Sequence, residues 1–128
     1  ISADKLAKAL RKHGLIERSI ICDGMDYVRQ IRALEPGLRG MPGLSSPDDI
    51  PALVAQGPPY AVDAKWEILT PEVIQRLHQH GIKVFSDALG RFESSEQYQR
   101  AARMGIDLIQ TDHPLRVLRA LVEMRYDR

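Results

Sequence analysis

The chain has 128 residues, of which 44% are hydrophobic and 27% charged, the composition of a globular domain or of a piece of a larger one. Its formal net charge of +1 gives no reason to expect nucleic acid or an anionic membrane as a partner. No apolar run approaches the roughly 20 residues that span a bilayer, so no transmembrane segment is predicted. The single cysteine, Cys22, excludes an internal disulfide and a cysteine-based zinc pattern.

Helices and strands are predicted to alternate along the whole chain. Gly14 and Gly81 end apolar-periodic segments as helix-terminating glycines do, and Pro71 stands at a first helical position after Thr70. In chain order, the predicted elements are helix 6–13, strand 17–23, helix 25–35, strand 38–44, helix 45–57, strand or loop 59–66, helix 70–81, strand 82–90, helix 94–105, strand 106–112 and helix 113–128. The buried stripe of the last helix is predicted to be Leu115, Leu118 and Val122.

One unit recurs three times: a helix, an apolar strand, a small polar residue and an aspartate. Near-continuous apolar strands separated by helices favour a parallel sheet with right-handed crossovers. The carboxyl ends of such strands meet at one edge, where α/β proteins bind their ligands. The pairs expected at that edge are Cys22-Asp23, Ser86-Asp87 and Thr111-Asp112.

Each strand-end residue has a structural interpretation beside the functional one. Asp112 could hydrogen-bond a substrate or a cation, or Asp112 or Thr111 could cap the last helix. Asp87 either faces a polar interior from the strand end, because burying a lone carboxylate is costly, or already lies in a loop. Cys22 is expected to be a small buried residue beside Asp23.

Trp66 and Lys65 are the remaining candidates for a binding pocket. Trp66, the only tryptophan, could form a pocket wall beside Lys65, which would offer charge to a phosphate, or it could pack beneath a loop. The four histidines show no metal-ligand spacing, and His113 is interpreted as a helix-start residue. No glycine-rich phosphate-binding loop occurs. The residues alone therefore predict neither a catalytic nor a metal-binding group in this chain.

Two architectures fit the pattern of four or five strands. One is a flavodoxin-like open, doubly wound sheet; the other is half of a TIM (β/α)₈ barrel, whose complete chain needs roughly 250 residues. Strand order distinguishes them, because it is sequential in a barrel and reverses in a doubly wound sheet. Periodicity does not.

Three segments resemble the glycerophosphodiester phosphodiesterase family. The close of the chain, GIDLIQTDHP (105–114), is similar to the family's final strand, which typically reads G-[IV]-D-G-I-x-T-D-x-P. TPEVIQRLHQHGIKVF (70–85) resembles its passage of helix, His, x, Gly and strand. ERSIICDGMDYVRQIRALEP (17–36) resembles its fifth strand and the helix that follows.

The resemblance implies that residues 1–128 are a single partial domain, the C-terminal half of the barrel, covering about strands five to eight. The family hydrolyses glycerophosphodiesters to an alcohol and glycerol 3-phosphate, with histidine acid–base catalysis and a divalent metal, Mg²⁺ or Ca²⁺. Its catalytic and metal-binding residues lie in the first half and have no counterpart here, so the chain alone is expected to be inactive. It would need the missing half-barrel as a partner, or would self-associate.

Within the matched region the chain departs from the family pattern at two strand ends. Asp87 stands where the family often has Trp, and Cys22-Asp23 stands where it has Ser-Phe. Both positions shape the pocket wall, and Asp87 suggests a more polar or cation-accepting site. The alternative from another class is a non-catalytic α/β module for ligand binding or assembly.

Overall fold

The computed structural model describes residues 1–126 and has the predicted alternation of helices and strands. Segment 59–66, predicted as a strand or a loop, contains a strand, and segment 38–44 contains two short ones. The elements are α1 (Ala3–Lys12), β1 (Ile20–Ile21), α2 (Met25–Leu34), β2 (Arg39–Gly40), β3 (Gly43–Leu44), α3 (Ile50–Ala55), β4 (Ala61–Ala64), α4 (Pro71–Gln79), β5 (Lys83–Asp87), α5 (Ser95–Met104), β6 (Leu108–Gln110) and α6 (Pro114–Tyr126). None of the helices in this range has the length and apolar content that crossing a membrane requires.

Side-chain caps and a glycine fix the ends of the helices that precede β5 and β6. The Thr70 hydroxyl accepts the Val73 N–H at 3.2 Å, and the Ser94 hydroxyl accepts the Gln97 N–H at 3.3 Å. Gly105 follows α5 with a φ of 92°, a backbone conformation that favours glycine. These sharp ends return the chain to the sheet within a few residues.

All strand pairs are parallel and follow chain order: β1 pairs with β2, and β3, β4, β5 and β6 pair in succession. β2 and β3 share one strand position, because the Met41 N–H donates to the Ile21 carbonyl while the Pro42 carbonyl accepts the Asp63 N–H. Five strand positions thus stand side by side. This sequential order excludes the doubly wound alternative and gives part of a (β/α)₈ barrel.

The two faces of the sheet differ in burial. In β5 and the residue after it, Val84, Ser86 and Ala88 are fully buried in the core that α4 and α5 cover, whereas Lys83 and Asp87 are exposed on the other face. Side chains of β5 therefore alternate between a buried and a more exposed face. Asp87 is the last residue of β5, so the alternative that places it in the following loop is wrong.

The predicted buried stripe of α6 is wrong. Leu115, Leu118 and Val122 are 79%, 59% and 49% exposed, whereas Ala120 is fully buried and Val117 half-buried. Apolar residues occur on two sides of this helix. The side that carries Ala120, the smallest of them, packs against α5. The Ala120 carbonyl accepts the side-chain N–H of a residue on α5 at 3.0 Å.

Asp107, in the segment that resembles the family's last strand, holds the start of β5. Its Oδ2 accepts the Val84 N–H at 2.7 Å and lies 2.8 Å from His78 Nε2 on α4. Burial would raise the pKa of Asp107, but the hydrogen bonds from Val84 and His78 and the charges of His78 and Lys83 lower it overall. The carboxylate is therefore a structural anchor between α4, β5 and β6.

Replacing Asp107 with alanine should lower the free energy of unfolding by about 1–3 kcal/mol near pH 7, because the Val84 N–H and His78 lose their acceptor. Because the pKa of Asp107 is lower in the folded than in the unfolded state, its carboxylate stabilises the folded state at pH values above the unfolded-state pKa, near 4. This stabilisation is lost as the pH falls through the folded-state pKa. The gap between wild type and variant should therefore shrink below pH 4, as measured by urea denaturation. Asp26→Ala, at a side chain 91% exposed, is the control. A difference in unfolding free energy between wild type and Asp107→Ala that does not change with pH would contradict the anchoring role of the Asp107 carboxylate.

Candidate functional site

A cavity of about 440 Å³ opens at the carboxyl ends of β3, β4 and β5. Three of the residues proposed from the sequence, Lys65, Trp66 and Asp87, contribute to its wall. The complete lining is Gly43, Leu44, Ser45, Asp63, Ala64, Lys65, Trp66, Glu67, Asp87, Leu89 and Phe92. The cavity thus lies at the edge where parallel α/β sheets bind ligands.

Trp66 serves both as a wall of the cavity and as packing. It is 3% exposed, stacks on Phe92 with ring centroids 5.9 Å apart, and donates from Nε1 to Gln97 Oε1 at 3.0 Å. The two interpretations of this residue are therefore compatible. Lys65 is exposed at the mouth, and its backbone N–H donates to the Leu44 carbonyl at 3.0 Å, which fixes the loop after β4.

Two carboxylates, Asp63 and Asp87, line the cavity from neighbouring strands. Desolvation and the negative charge of Asp87 raise the pKa of Asp63. Two carboxylates in one cavity wall favour a bound cation. Sequence reasoning missed Asp63, although an acid inside the apolar run AVDA (61–64) was a usable signal.

The mouth of the cavity carries an ion pair that the sequence did not predict. Arg91 donates to Glu67 Oε1 at 2.8 Å, and its guanidinium lies 4.8 Å from the centre of the Phe92 ring. Both charged side chains are exposed, so the pair contributes little to stability. Its position can orient the turn that carries Phe92.

Thr111 and Asp112 do not join the cavity residues. The Thr111 hydroxyl donates to Glu93 Oε2 at 2.7 Å, and the Asp112 N–H donates to Glu93 Oε1 at 2.9 Å. Helix α6 begins at Pro114, and the Thr111 hydroxyl accepts the N–H of His113 at 2.9 Å. The Thr111 hydroxyl therefore hydrogen-bonds within the loops, and the Asp112 carboxylate is exposed outside the cavity.

Glu93 ties the turn that carries Phe92 to the end of β6. The buried Tyr98 hydroxyl also donates to Glu93 Oε2. Burial would raise the pKa of Glu93, but the hydrogen bonds from Tyr98, Thr111 and the Asp112 N–H hold it below its ordinary value. Sequence reasoning missed this residue, because its partners come from α5 and from the loop after β6.

Cys22 and Asp23 lie after β1, apart from the cavity lining. Cys22 is exposed, so the expectation of a buried residue is wrong: β1 has only two residues and lies at the end of the sheet. Desolvation and the charge of Asp63 raise the pKa of the Cys22 thiol, which disfavours the thiolate. Asp23 Oδ1 accepts the Gly24 N–H at 2.7 Å, a local turn contact.

Residues 1–126 offer no complete set of protein ligands for a divalent metal such as Ca²⁺. Among residues 1–126, no three His, Cys, Asp or Glu side chains are grouped so that they could hold a metal ion. Asp63 and Asp87 supply two carboxylates to the cavity wall, fewer protein ligands than the oxygen-rich sites of Ca²⁺ use.

Comparison with known proteins connects this fold to phosphodiesterases. Over 96% of the chain, with 20% identity and a TM-score of 0.80, it resembles a provisionally assigned glycerophosphoryl diester phosphodiesterase from Silicibacter pomeroyi, of which it covers 44%. Over 94% of the chain, with 20% identity and a TM-score of 0.82, it also resembles a provisionally assigned glycerophosphodiester phosphodiesterase from Galdieria sulphuraria, of which it covers 50%. A third similar structure is a glycerophosphoryl diester phosphodiesterase from Parabacteroides distasonis. The match extends over 97% of this chain and 48% of that protein, with 19% identity and a TM-score of 0.72.

The chain therefore shares its fold with these structures and spans about half of their length. No protein-family model and no curated protein matches the sequence. At 19–20% identity, the likeness establishes the partial barrel and leaves the activity to be argued from the site.

Replacing Glu93 with alanine should lower the free energy of unfolding by about 1–3 kcal/mol, because the buried Tyr98 hydroxyl and Thr111 lose a charged acceptor. The fluorescence of Trp66, the only tryptophan, should also change, since the turn bearing Phe92 loses its tether. Glu96→Ala, at an exposed position on α5, is the control. Equal urea midpoints for the two variants would contradict the role given to Glu93.

Proposed function

We propose that the chain is the C-terminal half of a barrel that hydrolyses glycerophosphodiesters to an alcohol and glycerol 3-phosphate. The observation that carries the proposal is the in-order parallel sheet with a cavity at its carboxyl edge, in a fold shared with half of three such proteins. The sequence resemblance at 105–114 supports the same assignment, with this half placed at the end of the barrel.

In this proposal, the cavity residues bind and orient the substrate. Lys65, exposed at the mouth, places a positive charge where a phosphodiester can reach it. Trp66 and Phe92 give the cavity an apolar part, and Asp63 and Asp87 give its lining two carboxylates. An alcohol moiety that carries positive charge fits a cavity lined by these two carboxylates.

Proton transfer is assigned to the half of the barrel outside this chain. A divalent cation such as Mg²⁺ or Ca²⁺, held by residues outside this chain, would polarise the phosphodiester there. The present half supplies the wall, the charge pattern and the scaffold of the closing strands. The chain alone would then bind ligands weakly and turn nothing over.

The purified chain should release no glycerol 3-phosphate from a glycerophosphodiester above the buffer rate, with Mg²⁺ or with Ca²⁺ added. The reason is that the groups proposed to transfer protons and to hold the metal belong to the other half. An enzyme-coupled assay for glycerol 3-phosphate measures this directly. Turnover that survives repurification and is lost in a cavity variant such as Asp63→Asn would place catalysis in this chain and contradict the proposal.

In the complete barrel, Asp87→Asn should lower kcat/KM about tenfold for a substrate with a cationic alcohol, relative to one with an uncharged alcohol. A tenfold change corresponds to about 1.4 kcal/mol, a reasonable loss for one partly solvated charge contact. Asp23→Asn, at an exposed strand-end acid apart from the cavity lining, is the matched control. An unchanged ratio between the two substrates would remove the role given to Asp87.

A further inference from the structure

A groove of about 350 Å³ lies between α4 and α5, the helices that cover one face of the sheet. Its lining is Thr70, Pro71, Arg100, Arg103 and Met104, none of which lines the cavity at the carboxyl edge. Thr70 and Pro71 come from the start of α4, and the other three residues belong to α5. Both walls are therefore formed by neighbouring helices of this chain, and the groove needs no further element to complete it.

Two arginines supply the charge of this groove. Arg100 and Arg103 stand three positions apart on α5, so they lie on one face of the helix, and both are exposed. Within the described part of the chain, neither guanidinium forms a salt bridge, and no carboxylate lines the groove. Two positive charges that line a cavity without an acid attract an anion.

Hydrogen bonds hold both guanidiniums in place before a ligand arrives. Arg100 Nη2 donates at 3.2 Å to the carbonyl of Leu69, a fully buried residue just before α4. Arg103 Nη2 donates at 3.4 Å to Gln99 Oε1 on the same helix. Each guanidinium keeps further N–H donors for a ligand, because an arginine side chain carries five. Positioning these side chains in advance reduces the entropy that binding would cost.

The start of α4 is not itself the anion site. The Thr70 hydroxyl accepts the Val73 N–H at 3.2 Å. Hydrogen bonds from its own backbone N–H and from the Thr70 side chain lower the pKa of Glu72, which is exposed and lies outside the lining. The first turn of α4 is thus occupied by its own side chains, and attraction of an anion falls to the two guanidiniums.

The charge and the apolar part of the lining together select the ligand. Two guanidiniums match a phosphate monoester, which carries about −1.5 to −2 near pH 7, better than a phosphodiester with its single charge. Pro71 and Met104 supply the apolar part, and the flexible Met104 side chain adapts to the shape of an organic group.

We propose that the groove between α4 and α5 binds a phosphate monoester, with the phosphoryl group between Arg100 and Arg103 and the organic group against Pro71 and Met104. The groove shares no residue with the cavity, so this site goes beyond the proposed function and stands whether or not the complete barrel hydrolyses phosphodiesters.

The experiment titrates the whole chain near pH 7 with phenyl phosphate and with methyl phenyl phosphate, which keeps the aromatic group but has one ionisable oxygen fewer. Isothermal titration calorimetry at low salt should show phenyl phosphate binding at least about tenfold more tightly, a difference of about 1.4 kcal/mol. Binding should weaken at high salt, where charges are screened. Equal binding of the two compounds, or binding of neither, would overturn the proposal.

Variants distinguish the groove from a general effect of positive charge. Arg103→Gln should weaken phenyl phosphate binding at least about tenfold. Arg29→Gln removes the same charge from a side chain 56% exposed on α2 and should leave binding intact. Both positions are exposed, so both variants should fold, which circular dichroism checks. Equal losses in the two variants would overturn the assigned groove.

Amide NMR signals then locate the bound phosphate. Phenyl phosphate should shift the signals of Arg103 and Met104 at the groove, while those of Gly43 and Ser45 at the cavity remain in place. Shifts confined to the cavity residues would assign the phosphate to the cavity and overturn the proposal. Binding is measured without turnover, so absence of phosphodiesterase activity in the complete barrel would leave this result unchanged.

Discussion

Parallel pairing of β3, β4, β5 and β6 in chain order is the constraint on which the positions of the candidate binding residues depend. Parallel neighbours require a helical return between them, so successive strands leave the sheet at the same edge. Asp63 in β4 and Asp87 at the end of β5 are 24 positions apart, yet they line one cavity. Backbone pairing brings them together, against the repulsion of their charges. Desolvation and, after it, the charge of Asp87 raise the pKa of Asp63.

The same pairing that creates a shared edge also leaves the sheet with ends. A closed barrel has no free strand edge, whereas here β6 has one strand neighbour within the described residues. Leu115, Leu118 and Val122 on α6 are likewise 79%, 59% and 49% exposed, so each gives only part of the stabilisation that full burial of its side chain would give.

Local signals predicted most of the fold because each acts over a few residues. Thr70, Pro71 and Gly81 bound α4 through capping, a fixed φ and a helix stop, none of which needs the rest of the molecule. Which face α6 buries is instead decided by tertiary packing. Its apolar residues occupy two sides, and the choice between Leu118 and Ala120 depends on how closely α5 approaches.

Among the residues of the candidate site, some were predictable from local sequence and others depend on the tertiary structure. Asp87 was predictable because strand ends of a parallel sheet share an edge, and Lys65 and Trp66 were proposed from the charge and the size of their side chains. Asp63 was missed because its acid interrupts the apolar run that would have marked β4 as a strand. Glu93 was missed because its hydrogen bonds join two loops whose approach only the tertiary structure determines.

The segment 105–114 shows how a resemblance and a function can separate. Asp107, at its start, anchors β5 through Val84 and His78. Thr111 is bonded to Glu93, and Asp112 stands exposed outside the cavity. None of these three residues lines the cavity, so the pattern G-I-D-x-x-x-T-D-x-P specifies how the last strand and its loops are held. Likeness in this segment therefore supports the fold, while the proposed binding role belongs to Asp63, Lys65 and Asp87, which lie outside it.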